Sequence, residues 1–233
     1  MKIYSPQLPL GIELRSDASY DNYIWDDNAE LHYWLKKLEQ GSEERCVVLW
    51  GGASSGKTHL LQAFAQQLGL QNKRATYIPL KQYKELSPDV FEDLELLDAV
   101  LLDDLGAISG HREWEEALFH LYNRMKNTKN LLLISAVDTP ARINLLLPDL
   151  SSRLQASGVV RINPLADTTK SKVLTMLASR KGIVLTIDVA NYLINRYPRD
   201  MTTLSTLLNE LDKASLIAQR KLTIPFVKEV LTQ

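Results

Sequence analysis

The sequence holds one cysteine, Cys46, and four histidines, His32, His59, His111 and His120, in 233 residues. One thiol closes no intramolecular disulfide, and the histidines show no metal-ligand spacing, so neither a disulfide framework nor a structural zinc site organises the chain. The expected compartment is a reducing one, the cytoplasm. Long apolar runs are also missing. Stretches such as Leu131 to Ile134 fall far short of the roughly 20 residues that a membrane-spanning helix needs. The first twenty residues lack the basic start and apolar block of a secretion signal. Charge of one sign is absent too: 27 Lys+Arg against 28 Asp+Glu leave a net charge of -1, which argues against a general nucleic-acid coat or a membrane-surface protein. What is present is an ordinary globular composition, 45% hydrophobic and 24% charged, in a chain long enough to bury a real core.

The near-neutral total hides an asymmetry. Residues 1–160 carry 16 Lys/Arg against 22 Asp/Glu, whereas 161–233 carry 11 against 6. The change falls near Pro164, where a strand-like run, Val159 to Ile162, gives way to helical patterns. Three parts are therefore expected: an extended tail over 1–19, an α/β domain over 20–163 and an all-helical domain over 164–233. Within the second part, short apolar runs alternate with amphipathic stretches. Cys46 to Trp50, Ala75 to Pro79, Ala99 to Asp103 and Leu131 to Ser135 read as strands. Helices are expected from Glu30 to Leu38, through Leu60, Leu61, Phe64 and Leu68, around Asp89 to Leu96, and along the stripe from Trp114 to Met125. That alternation implies a parallel sheet flanked by helices. The acidic stretch from Glu85 to Asp98 reads as a solvated face. Beyond Pro164 three helical patterns follow, the clearest through Leu204, Leu207, Leu208 and Leu211.

The strongest chemical signal is Gly51-Gly52-Ala53-Ser54-Ser55-Gly56-Lys57-Thr58, a G-x-x-x-x-G-K-[ST] motif set between an apolar strand and an amphipathic helix. Glycines let the backbone turn tightly, so that its N–H groups face phosphate oxygens. The helix N-terminus adds positive dipole, Lys57 adds charge, and the Thr58 hydroxyl is a magnesium ligand candidate. The partner acid is at the end of Val100-Leu101-Leu102-Asp103-Asp104. Asp103 suits the magnesium shell, and Asp104 is placed to orient or deprotonate an attacking water. The alternative for this acidic pair is an ordinary strand-end turn.

Three further segments are Pro148-Asp149-Leu150-Ser151-Ser152-Arg153-Leu154, Arg199-Asp200-Met201 at the head of a helix, and Arg220-Lys221-Leu222-Thr223-Ile224-Pro225-Phe226 running on to Leu231. They resemble, respectively, the box VII arginine segment, the sensor 2 arginine and the closing segment of the small helical lobe in AAA+ ATPases of the DnaA initiator family. The resemblance covers most of residues 20–233. It implies an AAA+ P-loop fold with a C-terminal helical lid, bound ADP or ATP with Mg2+, and nucleotide contacts that also include His59, Tyr23, Ile24, Arg199 and a sensor 1 residue. Ser135 and Asp138 compete for that last role, with Ser135 preferred because it ends its strand. Tyr20 to Trp25 resembles the wall of the family's base pocket, and a plain core anchor is an equal reading of Tyr20 and Tyr23. Gln7-Leu8-Pro9-Leu10 resembles the motif by which such factors dock on the DNA polymerase sliding clamp, with Gln7, Leu8 and Leu10 as contacts; the alternative is a tail strapped to its own domain.

The resemblance further implies a regulator that offers Arg153 in trans to ATP held by the DnaA initiator, works with the DNA polymerase III sliding clamp (β subunit), and so prevents re-initiation of chromosomal replication. Its own nucleotide would be structural. A homodimer or nucleotide-dependent oligomer is expected, with no dedicated DNA-binding domain, no membrane association, and a cytoplasmic location tied to the nucleoid through the clamp. The other reading from the same motifs is a self-assembling AAA+ ATPase such as a helicase loader, with Arg153 serving an identical neighbour and Asp104 acting on the chain's own ATP. A small-molecule P-loop kinase is a third, but the helical lobe offers nothing like a kinase acceptor site.

Overall fold

The computed structural model describes residues 19–20, 23–41 and 43–231. Two compact units divide the chain, Met1–Asn163 and Pro164–Gln233. In the first, five strands among the described residues form one parallel sheet: β1 Cys46–Trp50, β2 Ala75–Pro79, β3 Ala99–Asp103, β4 Leu131–Ala136 and β5 Gly158–Arg161. Their order is β2-β3-β4-β1-β5, with every pair parallel. β4 is thus inserted between the strand that leads into the glycine loop and the strand that ends in Asp103. Its last polar side chain, Ser135, is placed between the two by that order.

Both faces of this sheet are covered, which is why its strands read as continuous apolar runs instead of alternating ones. Successive side chains still point to opposite faces. Val47, Leu49, Tyr77, Leu101 and Leu133 pack with α1 (Ala29–Gln40) and α2 (Lys57–Leu70) through Leu31, Leu35, Leu60, Leu61 and Phe64. Val48, Ile78, Val100, Leu102, Leu132 and Ile134 pack on the other side with α3 (Arg112–Thr128) and α4 (Pro148–Gln155) through Trp114, Leu118, Leu121, Leu150 and Leu154. One buried acid ties the second face together. The Glu115 side chain accepts hydrogen bonds from the Gly110 N–H at 2.8 Å and the Leu147 N–H at 2.9 Å, fixing the turn before α3 and the entry to α4.

Two expectations need correction in this unit. The stretch from Asp89 to Leu96 is not an α-helix but two short 3-10 turns, Pro88–Phe91 and Leu94–Leu96. Asp93 sits between them with φ 59°, a left-handed conformation that no α-helix continues through. Nor is the acidic face wholly solvated. Glu95 is half-buried and pairs with Arg124 at 2.8 Å, whereas Asp98 stays exposed while accepting from the Arg74 N–H at 2.7 Å. Burial is the largest influence and works against the Glu95 charge, but the Arg124 hydrogen bond, a backbone hydrogen bond and the Arg124 charge together outweigh it and hold the carboxyl below its ordinary value.

Among the described residues the second unit contains four helices where three patterns are expected: α5 Asp167–Arg180, α6 Ile187–Arg196, α7 Met201–Ala218 and α8 Ile224–Leu231. Leu174, Ala178, Leu193, Ile194, Leu204, Leu208, Leu211, Phe226 and Val227 form its core. The fourth helix hides in sequence because it is one apolar patch behind Pro225, a residue tolerated only in a helix's first turn. No helix among the described residues is long and apolar enough to cross a membrane.

Candidate functional site

The glycine loop leaves β1 at Gly51 and enters α2 at Lys57. Two of its glycines are required by shape. A Cβ on Gly51 would sit 2.7 Å from the Ile162 carbonyl oxygen and 2.9 Å from the Ser55 Oγ, closer than real contacts allow. Gly56 caps α2 in a left-handed conformation, φ 89°, which a side chain would strain. The first bond within the helix runs from the Leu60 N–H to the Gly56 carbonyl, so the amides of the preceding turn end the helix facing the loop. This is the arrangement that binds anions at helix N-termini. Lys57 Nζ donates to the carbonyls of Gly51 at 2.6 Å and Gly52 at 2.7 Å and to Ser55 Oγ at 3.3 Å. Its three protons are therefore gathered over the loop. Burial pushes this ammonium below the ordinary lysine value, opposed by Asp104 and Asp103 and assisted by Lys81. Ala53, Ser54 and Thr58 are exposed, and Ser54 has φ 57°.

The acids behave differently from each other. Asp103 is buried and is held by hydroxyls: Thr58 Oγ1 donates to Oδ2 at 2.7 Å, Tyr77 Oη to Oδ2 at 2.9 Å and Ser135 Oγ to Oδ1 at 2.5 Å. Burial and then the Asp103 charge drive the Tyr77 phenol well above its ordinary value, so it stays a donor at any physiological pH. Asp104 turns out of the strand with φ 67°. Its N–H donates to Ser135 Oγ at 2.8 Å and its carboxylate pairs with Lys81 Nζ at 3.1 Å. The Ser135 hydroxyl is engaged by both acids, while Asp138, the competing sensor 1 candidate, pairs with Arg142 at 3.6 Å and accepts from the Thr139 N–H. A hydroxyl and a buried carboxylate 2.7 Å apart are hard oxygen donors. They suit Mg2+, which takes few protein ligands and completes its shell with water and phosphate oxygens.

An aromatic wall adjoins the loop. The Tyr23 ring lies 3.5 Å from where a Gly56 Cβ would be, 4.4 Å from the Trp25 ring and 6.0 Å from that of His59. Trp25 in turn stacks on His32 at 4.1 Å. The buried Tyr23 hydroxyl has no hydrogen-bond partner among the described residues, an uncommon condition that a ligand's polar edge would relieve. Ile24 is half-buried beside it. Both readings of this segment, core anchor and pocket wall, are compatible with a ring that is buried yet touches the loop.

Arg153 is in the last turn of α4. Its guanidinium lies over Phe119 at 4.6 Å and Tyr122 at 5.8 Å, and among the described residues it has no carboxylate partner. Arg199 belongs to the second unit, where it pairs with Asp167 at 2.9 Å. Gln7, Leu8 and Leu10 lie outside the described residues. Tyr77 and Lys81 were not singled out in sequence. The usable signal for Tyr77 was a phenol inside a buried strand, and Lys81 shows only in the fold, which brings the end of β2 beside that of β3.

Comparison with known proteins gives the same outline. A model of the bacterial DnaA ATPase domain matches residues 14–161, and a model of the Hda lid domain matches residues 167–231. An uncharacterized protein of Haemophilus influenzae is 45% identical over 226 residues, 97% of this chain and 98% of that protein. Among solved structures, domain III of the replication initiation protein DnaA from Thermotoga maritima superposes with a TM-score of 0.81 at 18% identity, covering 94% of this chain and 98% of that one. AMPPCP-bound DnaA from Aquifex aeolicus superposes with a TM-score of 0.72 at 20% identity, covering 87% and 67%.

Proposed function

The chain belongs to the bacterial DnaA ATPase-domain family, with a lid of the Hda type, and on that premise we propose that it is a nucleotide-bound AAA+ regulator which, with a DNA-loaded sliding clamp, accelerates hydrolysis of ATP on the DnaA initiator. Re-initiation of replication is thereby restrained. The observation that carries this reading is Arg153: a guanidinium near the end of α4 resting on two rings, with no acid among the described residues to neutralise it. A cation–π contact of this kind is worth about 0.5–1 kcal/mol, little enough to exchange for a phosphate.

In that reaction a water oxygen attacks the γ-phosphorus of the initiator's ATP and the bond to the β–γ bridging oxygen breaks. Arg153 stabilises the charge on the transferred phosphoryl group, a contribution of roughly 10³–10⁵ in rate where arginines act in trans. The chain's own site is the support. The loop from Gly51 to Thr58, with His59, Tyr23 and Ile24, holds ADP or ATP, and Arg199 and Ser135 complete the nucleotide-sensing set. Thr58 and Asp103 hold Mg2+, which neutralises phosphate charge when bound. Gln7, Leu8 and Leu10 dock on the clamp, which makes the protein cytoplasmic and nucleoid-associated. A homodimer or nucleotide-dependent oligomer fits this role. The second reading is a self-assembling AAA+ ATPase such as a helicase loader; what favours it is Asp104, a second acid beside the magnesium ligand.

The test is phosphate release from ATP-loaded DnaA with this chain, with and without clamp on DNA. Stimulation that requires the clamp and disappears in the Gln7→Ala/Leu10→Ala variant supports the regulator. Clamp-independent turnover of ATP by the chain alone, accounting for all phosphate released, supports the second reading instead.

A further inference from the structure

We propose that Tyr77 is a positioning residue of the magnesium site: its phenol holds Asp103 Oδ2 beside the Thr58 hydroxyl, and thereby sets how strongly Mg2+ and nucleotide bind together. The proposal rests on the nucleotide reading of the glycine loop given above. A buried carboxylate is stable only when its charge is met by donors or cations. Asp103 has no lysine or arginine within ion-pair distance among the described residues. Three hydroxyls hold it instead, two on Oδ2 and one on Oδ1.

Those three are not equivalent. Ser135 takes the other oxygen and is also engaged by the Asp104 N–H. Thr58 is itself a magnesium ligand candidate: a lone pair of its oxygen would face the cation while its proton stays on Oδ2. Tyr77 is then the one donor on Oδ2, of the three, that is not a ligand candidate and serves only to hold the carboxylate. The sheet explains why a tyrosine does this. Tyr77 pairs with Leu101, and Asp103 is two residues further along β3 on the same face. Only a long side chain lying along the strand reaches from one to the other, and Tyr77 belongs to the same buried cluster as Phe64 and Leu101. Such outer hydrogen bonds to a metal-binding carboxylate typically affect metal affinity about 10- to 100-fold when removed.

The experiment measures ADP affinity of the full chain by titration calorimetry, in EDTA and across a Mg2+ series. Wild type should bind ADP more tightly with Mg2+. Tyr77→Phe keeps the ring and should keep EDTA affinity within about twofold, while its Mg2+ midpoint rises about tenfold. Asp103→Asn should abolish the Mg2+ effect, and Tyr77→Phe should add nothing in that background, a cycle that keeps the result interpretable even if a single variant is less stable. An unchanged Mg2+ midpoint in Tyr77→Phe, or an equal loss of affinity with and without Mg2+, overturns the proposal. Wild type that binds ADP without responding to Mg2+ overturns it while leaving the nucleotide reading intact. Wild type that binds no ADP overturns both.

Discussion

Single side chains carry most of the chemistry. Lys57 gathers its three protons over the loop carbonyls, where phosphate oxygens are the natural replacement acceptors. Lys57→Ala should therefore abolish ADP binding. At ADP a hundred times the wild-type dissociation constant, binding adds about 2.7 kcal/mol to folding, so ADP should raise the melting temperature of wild type and leave the variant's unmoved; differential scanning fluorimetry checks this, and equal shifts would contradict it. Cys46 makes a second case. Burial pushes its thiol up to about 12, only partly offset by a hydrogen bond with Ser157. The folded state thus keeps a proton that the unfolded thiol releases near its ordinary 9.0. Stability from this group is intact below pH 9 and declines as pH rises toward 12. Correspondingly, native Cys46 should react with a maleimide at pH 8 at least about tenfold more slowly than in denaturant; equal rates would show the thiol to be accessible. Much of this scale was legible in sequence. The loop, Thr58, Asp103 and Asp104 follow from spacing and strand ends. Tyr77 and Lys81 did not, because their partners are 26 and 23 residues away and meet them only across β2 and β3.

At the scale of elements, strands and helices depend on local devices that sequence shows unevenly. Strands buried on both faces announced themselves as apolar runs, and β1 to β3 have the expected bounds. The Asp89 to Leu96 stretch misled because the Phe91 side chain anchors in the core and the Phe91 carbonyl accepts from Arg124, instead of the segment forming a helical stripe. The order of the strands was not legible either. Nothing local says that β4 enters between β1 and β3, although that insertion is what brings Ser135 to both acids. In the lid, α7 begins at a capping residue, Asp200, whose side chain accepts from the Thr203 N–H at 2.8 Å. That hydrogen bond from the Thr203 backbone holds the Asp200 carboxyl below its ordinary value. A depressed acid stabilises the fold above its unfolded pKa and loses that contribution as pH falls through the folded value. Asp200→Ala should cost about 1 kcal/mol at pH 7, and the difference from wild type should shrink as pH drops below about 4. Urea melts at pH 7 and pH 3 read it out; a pH-independent difference would mean that the cap acts through something other than its charge.

For the whole molecule, the central claim is that a family fold built to hold nucleotide serves here to present one arginine to another protein's ATP. No helix among the described residues is long and apolar enough to cross a membrane, and the charge shift near Pro164 coincides with the division between the two units. The partner itself is not written in any of these features, since an interface arginine and a surface arginine look alike until their acids are searched for. In this fold Arg153 has rings and no acid among the described residues. The most direct measurement is therefore ATP hydrolysis by DnaA in the presence of clamp-loaded DNA and the Arg153→Ala variant, with ADP binding and clamp binding of that variant measured alongside. The account predicts normal ADP and clamp binding with stimulation reduced by about 10³-fold or to background, and nearly the same loss for Arg153→Lys, which keeps the charge but not the planar fork. Stimulation at the wild-type rate by Arg153→Ala would contradict it.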